Sequence, residues 1–199
     1  MTTVPSTSRS PRLVAILDAG IRVLARGGLR GLTHRAVDAE AGIPEGSTSG
    51  YMRTRNALVV GVAERVMEQL EGVIGHVGGQ LREGVPPEAV VAGTTEVFVG
   101  WINQPELLLA RSEINKEATR NPEIAAIMTP GRRRAEEHIA VILEQFGSKD
   151  AAAESRVALC AWEGVLQASL IRPVEEREEY FRSGSSMLFS AFGVAADQA

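Results

Sequence analysis

From Pro11 onward, apolar residues return every three or four positions, and glycines and prolines punctuate the pattern. A period near 3.6 residues buries one face of a helix, whereas strand alternation has a period of two and is not evident in any segment here. The chain is therefore expected to be all-α. Leu13, Ile16, Leu17, Ile21 and Leu24 form a first stripe from about Pro11, ended by Gly27-Gly28. Thr33 is placed to cap a second helix, with Leu32 and Val37 as a hydrophobic staple and Gly42 as its stop. A third short helix is expected over about Pro44 to Met52. Thr54 then caps a fourth, whose stripe Leu58, Val62, Val66, Leu70 and Val73 runs to about His76. Beyond the Gly78-Gly79 break, helices are expected near Pro87 to Asn103, Pro105 to Ala118, Pro122 to Phe146, Lys149 to Ile171 and Val174 to Phe192. Several begin at or near proline, where a missing amide donor costs least.

Nothing in the 199 residues approaches the run of about 18 apolar residues that a membrane helix needs. The Ser-, Thr- and Pro-rich residues 1–8 read as a disordered arm rather than a signal peptide, so no membrane partner and a cytoplasmic location are expected. One cysteine, Cys160, excludes an internal disulfide framework and a cysteine-based zinc cage. The net charge of −4 hides a split: residues 1–56 carry eight arginines against four carboxylates, while the other 143 carry 13 basic against 21 acidic side chains. A head at +4 on a body at −8 places phosphate affinity at one end.

Two short helices around a tight glycine-containing turn, braced by a longer helix before them, have the sequence form of a helix-turn-helix. The third helix carries Glu45, Gly46, Ser47, Thr48, Ser49, Gly50 and Tyr51, almost none of it core material. Small residues allow close approach to a duplex, hydroxyls serve phosphates or base edges, and Glu45 is able to accept from a cytosine amine.

The run Gly31-Leu32-Thr33-His34-Arg35-Ala36-Val37-Asp38-Ala39-Glu40-Ala41-Gly42-Ile43, followed by Pro44-Glu45-Gly46-Ser47-Thr48-Ser49-Gly50-Tyr51-Met52-Arg53-Thr54-Arg55-Asn56-Ala57-Leu58, resembles the DNA-binding signature of the TetR family of bacterial regulators. The resemblance covers about Leu13 to Leu70. It implies that Thr33 and Arg35 meet the DNA backbone or a flanking base, that Ser47, Thr48 and Tyr51 lie on the groove face, and that Arg55 holds a phosphate. A helix N-terminus with an adjacent arginine is independently an anion site, and Arg53 is a second candidate. His34 at the start of the second helix either touches a phosphate or is merely exposed. Pro44, Ser49 and Met52 depart from the commoner Ser or Thr, Tyr and Phe. Pro44 cannot cap with its side chain, so a looser or rotated start to the third helix is expected, with Tyr51 taking over part of the contact that Ser49 lacks.

The family also implies a division into a DNA-binding domain over residues 9–55 and an effector-binding and dimerising domain over 56–199. Phe98, Trp101, Leu108, Met128, Phe146 and Trp162 suit either a pocket for an apolar molecule or ordinary core. Glu163 and Gln167 share one helix face beside Trp162 and Leu166, and with Glu113 and Asn115 they are able to offer polar contacts to a ligand or to remain solvated. Leu159, Val165, Ala168, Ser169, Met187, Leu188, Phe189 and Phe192 offer surfaces for a homodimer that reads two half-sites. Arg132-Arg133-Arg134, followed by Glu136 and Glu137, reads as a solvated helix face.

The expected partners are thus an operator duplex, a largely apolar effector and a second copy of the chain, and the expected activity is repression relieved by the effector. The rival is an all-helical enzyme acting on an apolar molecule in the same cavity. Its case is weakened by His34, His76 and His138 standing in separate elements, with no metal-ligand spacing and no phosphate loop. No cofactor, metal or catalytic residue is expected.

Overall fold

The structure is a computed structural model and describes residues 9–78 and 86–194. The arm assigned to residues 1–8 lies outside the described residues, as does Gly79 of the expected break. Among the described residues there are nine α-helices and one short 3-10 turn, with no strand. The all-α class follows as the periodicity requires.

Helix α1 (Pro11–Gly31) is capped by the Ser10 hydroxyl, which accepts from the Leu13 N–H. Its last turn contains Gly28 at φ 59°, so the chain turns there, where the glycine pair was expected to break it. Helix α2 (His34–Glu40) starts on Thr33, whose hydroxyl accepts from the Ala36 N–H, and Leu32 and Val37 are both fully buried. Helix α3 (Ser47–Tyr51) is shorter than the Pro44 start predicted, because residues 45 and 46 form a turn with Gly46 at φ 91°. Helix α4 (Arg55–Gly78) begins where Thr54 accepts from the Ala57 N–H.

The body contains α5 (Pro87–Ile102), α6 (Pro105–Ala118), α7 (Pro122–Gln145), α8 (Ala151–Leu170) and α9 (Arg177–Ala191), with the 3-10 turn Val174–Glu176 before α9. Proline stands in the first turn of α5, α6 and α7, while the Asn121 and Asp150 side chains cap α7 and α8. The separate 3-10 turn is the one place where the reading of a single last helix from Val174 was too simple.

Helix α4 is shared between the two ends of the molecule. It packs on α1 in the head and on α5, α6 and α7 in the body. In the head, Ile16, Leu17, Leu24, Leu32, Val37, Leu58 and Val62 close one core. In the body, Phe98 lies 5.0 Å edge-on to Trp101, stacks on Trp162 at 6.4 Å and meets Phe181 at 5.3 Å. Burying such aromatics contributes about 1.5–3 kcal/mol each by area, with a further increment from their offset geometry.

Candidate nucleic-acid interface and cavity

The turn between α2 and α3 is organised by a residue that motif reading passed over. Asp38, in the last turn of α2, is 2% exposed. Its Oδ2 accepts from the Gly46 N–H at 2.7 Å, and its Oδ1 accepts from the Thr48 N–H at 2.8 Å and the Thr48 hydroxyl at 2.6 Å. Burial alone would raise the Asp38 carboxyl, but the Thr48 hydroxyl, the Thr48 and Gly46 amides and the neighbouring His34 together hold it below the ordinary carboxylate value. The N-terminal amides of α3 are thereby satisfied without a cap from Pro44. The looser start expected from Pro44 does not arise, since the cap comes from ten residues before Thr48.

Two expected DNA contacts are accordingly corrected. Thr48 is fully buried, with its hydroxyl committed to Asp38, so it faces the head's interior instead of a groove. His34 Nε2 lies 2.6 Å from the Met52 carbonyl. Because a carbonyl only accepts, Nε2 carries the proton, and the ring ties the start of α2 to the end of α3. That bond removes Nε2 from phosphate duty.

The other head residues stand outward. Glu45, Gly46 and Tyr51 are exposed, and Ser47 is half-buried at the first turn of α3. Arg35 and Glu45 are exposed and 3.9 Å apart, a loose pair of little energetic weight. Arg53 is exposed. Thr33 is exposed but already uses its hydroxyl as a cap. Arg55 Nη2 donates to the Leu29 carbonyl at the end of α1, so this guanidinium is positioned beside the α3–α4 corner.

A cavity of about 230 Å³ opens in the body. Of the ligand candidates, Phe98, Trp101, Met128 and Glu163 line it. Helix α4 contributes Met67, Leu70 and Glu71, and Gly131 of α7 admits the Met67 side chain so closely that a Cβ there would lie 2.2 Å from Met67 Cε. Asn115, Arg111 and Arg132 complete the polar part of the wall.

The remaining candidates are placed elsewhere. Leu108 and Leu166 are fully buried core residues, and Trp162 is packed in the aromatic cluster with its Nε1 donating to Ser185 Oγ at 3.0 Å. Gln167 is exposed and donates to Ser112 Oγ. Glu113 faces the head: it pairs with Lys116 and accepts from the Leu29 backbone, and the Lys116 ammonium holds its carboxyl below the usual range despite partial burial. Arg132, Arg133 and Arg134 are all exposed, as expected of a solvated face, and from it Arg132 pairs with Glu163 at 2.9 Å and Arg134 with Glu71. Of the candidate dimer residues, Leu159, Ser169 and Phe189 are buried within the chain, whereas Met187 is 72% exposed.

Among the described residues no helix is long and apolar enough to cross a membrane, and no cluster of His, Cys, Asp or Glu is arranged to hold a metal ion. Residues 85–187 match the family described as "Tetracyclin repressor-like, C-terminal domain". No curated protein matches the chain. Among solved structures, a transcriptional regulator from Rhodococcus sp. Rha1 is 19% identical with a TM-score of 0.73, over 92% of this chain and 97% of that one. SmeT, the repressor of a Stenotrophomonas maltophilia multidrug efflux pump, is 16% identical with a TM-score of 0.68, over 94% of each chain. The multidrug-binding protein EbrR, complexed with malachite green, is 23% identical with a TM-score of 0.64, over 90% of this chain and 98% of that one. With its helix-turn-helix head, its all-helical body and more than half of its length matched by the family model, the chain belongs to the TetR family of transcriptional regulators.

Proposed function

We propose that the chain is an effector-responsive repressor that binds a palindromic operator as a homodimer and is released by a small molecule held in the body cavity. Residues 9–55 serve as the DNA-binding head and residues 56–199 as the effector-binding and dimerising body. The observation that carries the reading is the division of labour on α3. Asp38 holds its amides from inside, and Gly46, Ser47 and Tyr51 are left on the outer side with Arg53 and Arg55 at the following corner. Such a rod, flanked by guanidinium groups, suits a major groove bordered by phosphates.

Helix α4 supports the coupling. Met67, Leu70 and Glu71 touch the cavity while Arg55 begins the same helix, so an occupant that displaces α4 also displaces the head. Asn56 donates to Glu123 at 2.7 Å and accepts from Asn121 at 3.0 Å, which clasps the head-proximal end of α4 to the start of α7. Linkage requires effector and operator to weaken one another by the same factor, typically about 1–3 kcal/mol. The similarity to a multidrug-binding protein favours a small-molecule effector.

For the dimer, the outward faces of α8 and α9 are the candidate surface. Val157 and Met187 are exposed, and Ile171 just past α8 is 89% exposed, large apolar groups of the kind that a second subunit covers. A twofold arrangement then sets two heads about 34–36 Å apart. Selection of bound sequences from random duplexes at two salt concentrations tests the proposal. Enrichment of an inverted repeat supports it, and failure to enrich any duplex at low ionic strength refutes it.

A further inference from the structure

The cavity wall includes a buried donor without a partner among the described residues. Trp101 is 6% exposed, lines the cavity, and its buried Nε1 has no acceptor among the described residues. The other tryptophan, Trp162, donates its N–H to Ser185, so the unpaired indole N–H belongs to the one that borders the cavity. Buried polar groups are almost always paired, and an orphan indole N–H marks a place where an acceptor is missing. Arg111 adds further N–H groups, since among the described residues only its Nη2 is engaged, with Glu163.

Each cavity carboxylate, by contrast, already carries a guanidinium. Glu163 Oε1 takes Arg111 and its Oε2 takes Arg132, while Glu71 takes Arg134. Arg132 is shared with Glu136 at 3.1 Å, so three guanidiniums stand against three carboxylates and the cluster is neutral. A cationic ligand would find no carboxylate without a guanidinium already on it. An anionic ligand would leave a partly buried, balanced cluster with one negative charge too many. Apart from Asn115 and Thr129, the rest of the wall is apolar, with Met67, Leu70, Phe98, Met128 and Leu159 foremost, which asks for an apolar body. At about 230 Å³ the cavity is smaller than the roughly 300–1,000 Å³ typical of drug-sized sites, so one or two rings fill it.

We infer that the effector is a compact, uncharged, largely apolar molecule carrying a hydrogen-bond acceptor of the carbonyl type, such as a ketone, lactone or quinone, whose oxygen accepts from Trp101 Nε1. The inference rests on the cavity being the effector site and names the chemistry that this site selects.

The test uses the full chain without DNA and matched sets on benzene and naphthalene scaffolds: methyl ketone, ethyl parent, carboxylate and methylammonium. The two tryptophans give two indole N–H proton resonances, assigned by Trp101→Phe. The ketones should bind and move the Trp101 resonance downfield while leaving that of Trp162 in place. The carboxylates and ammoniums should bind at least about tenfold more weakly, as expected for a charge with no free partner. Trp101→Phe should weaken ketone binding about fivefold to tenfold and leave the ethyl compounds unchanged, since only the ketone loses a hydrogen bond. Preference for either charged head, equal loss of ketone and ethyl compound in Trp101→Phe, or no ketone binding at millimolar concentration would each overturn the inference. Ketone binding without any effect on a DNA complex would leave it standing and count against the regulator proposal alone.

Discussion

Asp38 Oδ1 accepts two hydrogen bonds from Thr48, one from its amide and one from its hydroxyl, at 2.8 and 2.6 Å, and so fixes α3 to α2 from within the head. Replacing Asp38 by Ala strands the buried amide and hydroxyl of Thr48, releases the Gly46 amide, and should cost about 3 kcal/mol. For a chain of this size that is a fall of about 6–12 °C in Tm. Thr48→Val should cost about 1–2 kcal/mol, and Thr48→Ser should recover most of it. Thermal unfolding followed by circular dichroism checks the order of the three variants.

The same pair gives a signed pH dependence. The folded Asp38 carboxyl lies below its ordinary value of 3.8, so its stabilisation is present above that value and disappears as pH falls through the lower folded one. Wild type should therefore lose stability relative to Asp38→Asn as pH is lowered from about 5 to 3. Equal pH profiles for the two proteins in urea titrations would count against an ionised Asp38.

Arg53 and Arg55 are expected to contribute sequence-independent affinity. Each alanine variant should weaken all duplexes about uniformly and reduce the slope of log affinity against log salt by about 1. Arg55→Ala should additionally loosen the α1–α4 corner, since its guanidinium holds the Leu29 carbonyl, whereas Arg53→Ala should leave stability unchanged. Anisotropy titrations over a salt series separate the two effects.

The order of helices, their proline and threonine starts and the position of the helix-turn-helix were legible because they depend on local periodicity and capping. The turn chemistry was legible only in part. Asp38 sits in an ordinary helical sequence beside the buried Val37, and its role exists only once the chain has turned back at Gly42 and Gly46. The same limit explains Thr48, whose hydroxyl reads as a groove group until its buried partner is seen. In the body, periodicity placed Phe98 and Trp101 on an apolar face but did not separate cavity from core. That distinction depends on which helix crosses opposite, as Gly131 against Met67 shows. Arg132, Arg133 and Arg134 stand on a solvated face as their charge run suggests, but the ion pair of Arg132 with Glu163, 31 residues away, is not a local signal.

Two glycines at helix crossings should respond differently to alanine. A Cβ on Gly20 would lie 2.6 Å from Val62 Cγ2, a stiff branched side chain, so Gly20→Ala should destabilise the head by about 1–3 kcal/mol. At Gly131 the obstacle is the terminal methyl of Met67, which is able to swing away into the cavity, and alanine favours the helix by about 1 kcal/mol. Gly131→Ala should thus be near neutral in Tm yet weaken ligand binding by filling the cavity. Calorimetry with and without a bound ligand distinguishes these outcomes.

Ile171→Glu combined with Met187→Glu should convert a dimer into a folded monomer, because both side chains are exposed within one chain. Light scattering should report half the mass, with the far-ultraviolet circular dichroism spectrum unchanged.

On the proposed function, the outer side of Ser47–Tyr51 reads base edges. Sequence selection from random duplexes, run in parallel on wild type and Ser47→Asn, tests it most directly. Both proteins should select an inverted repeat, with the variant's preference altered at one or two adjacent positions in each half-site. Identical preferences for the two proteins, or no enrichment by either at low ionic strength, would contradict it.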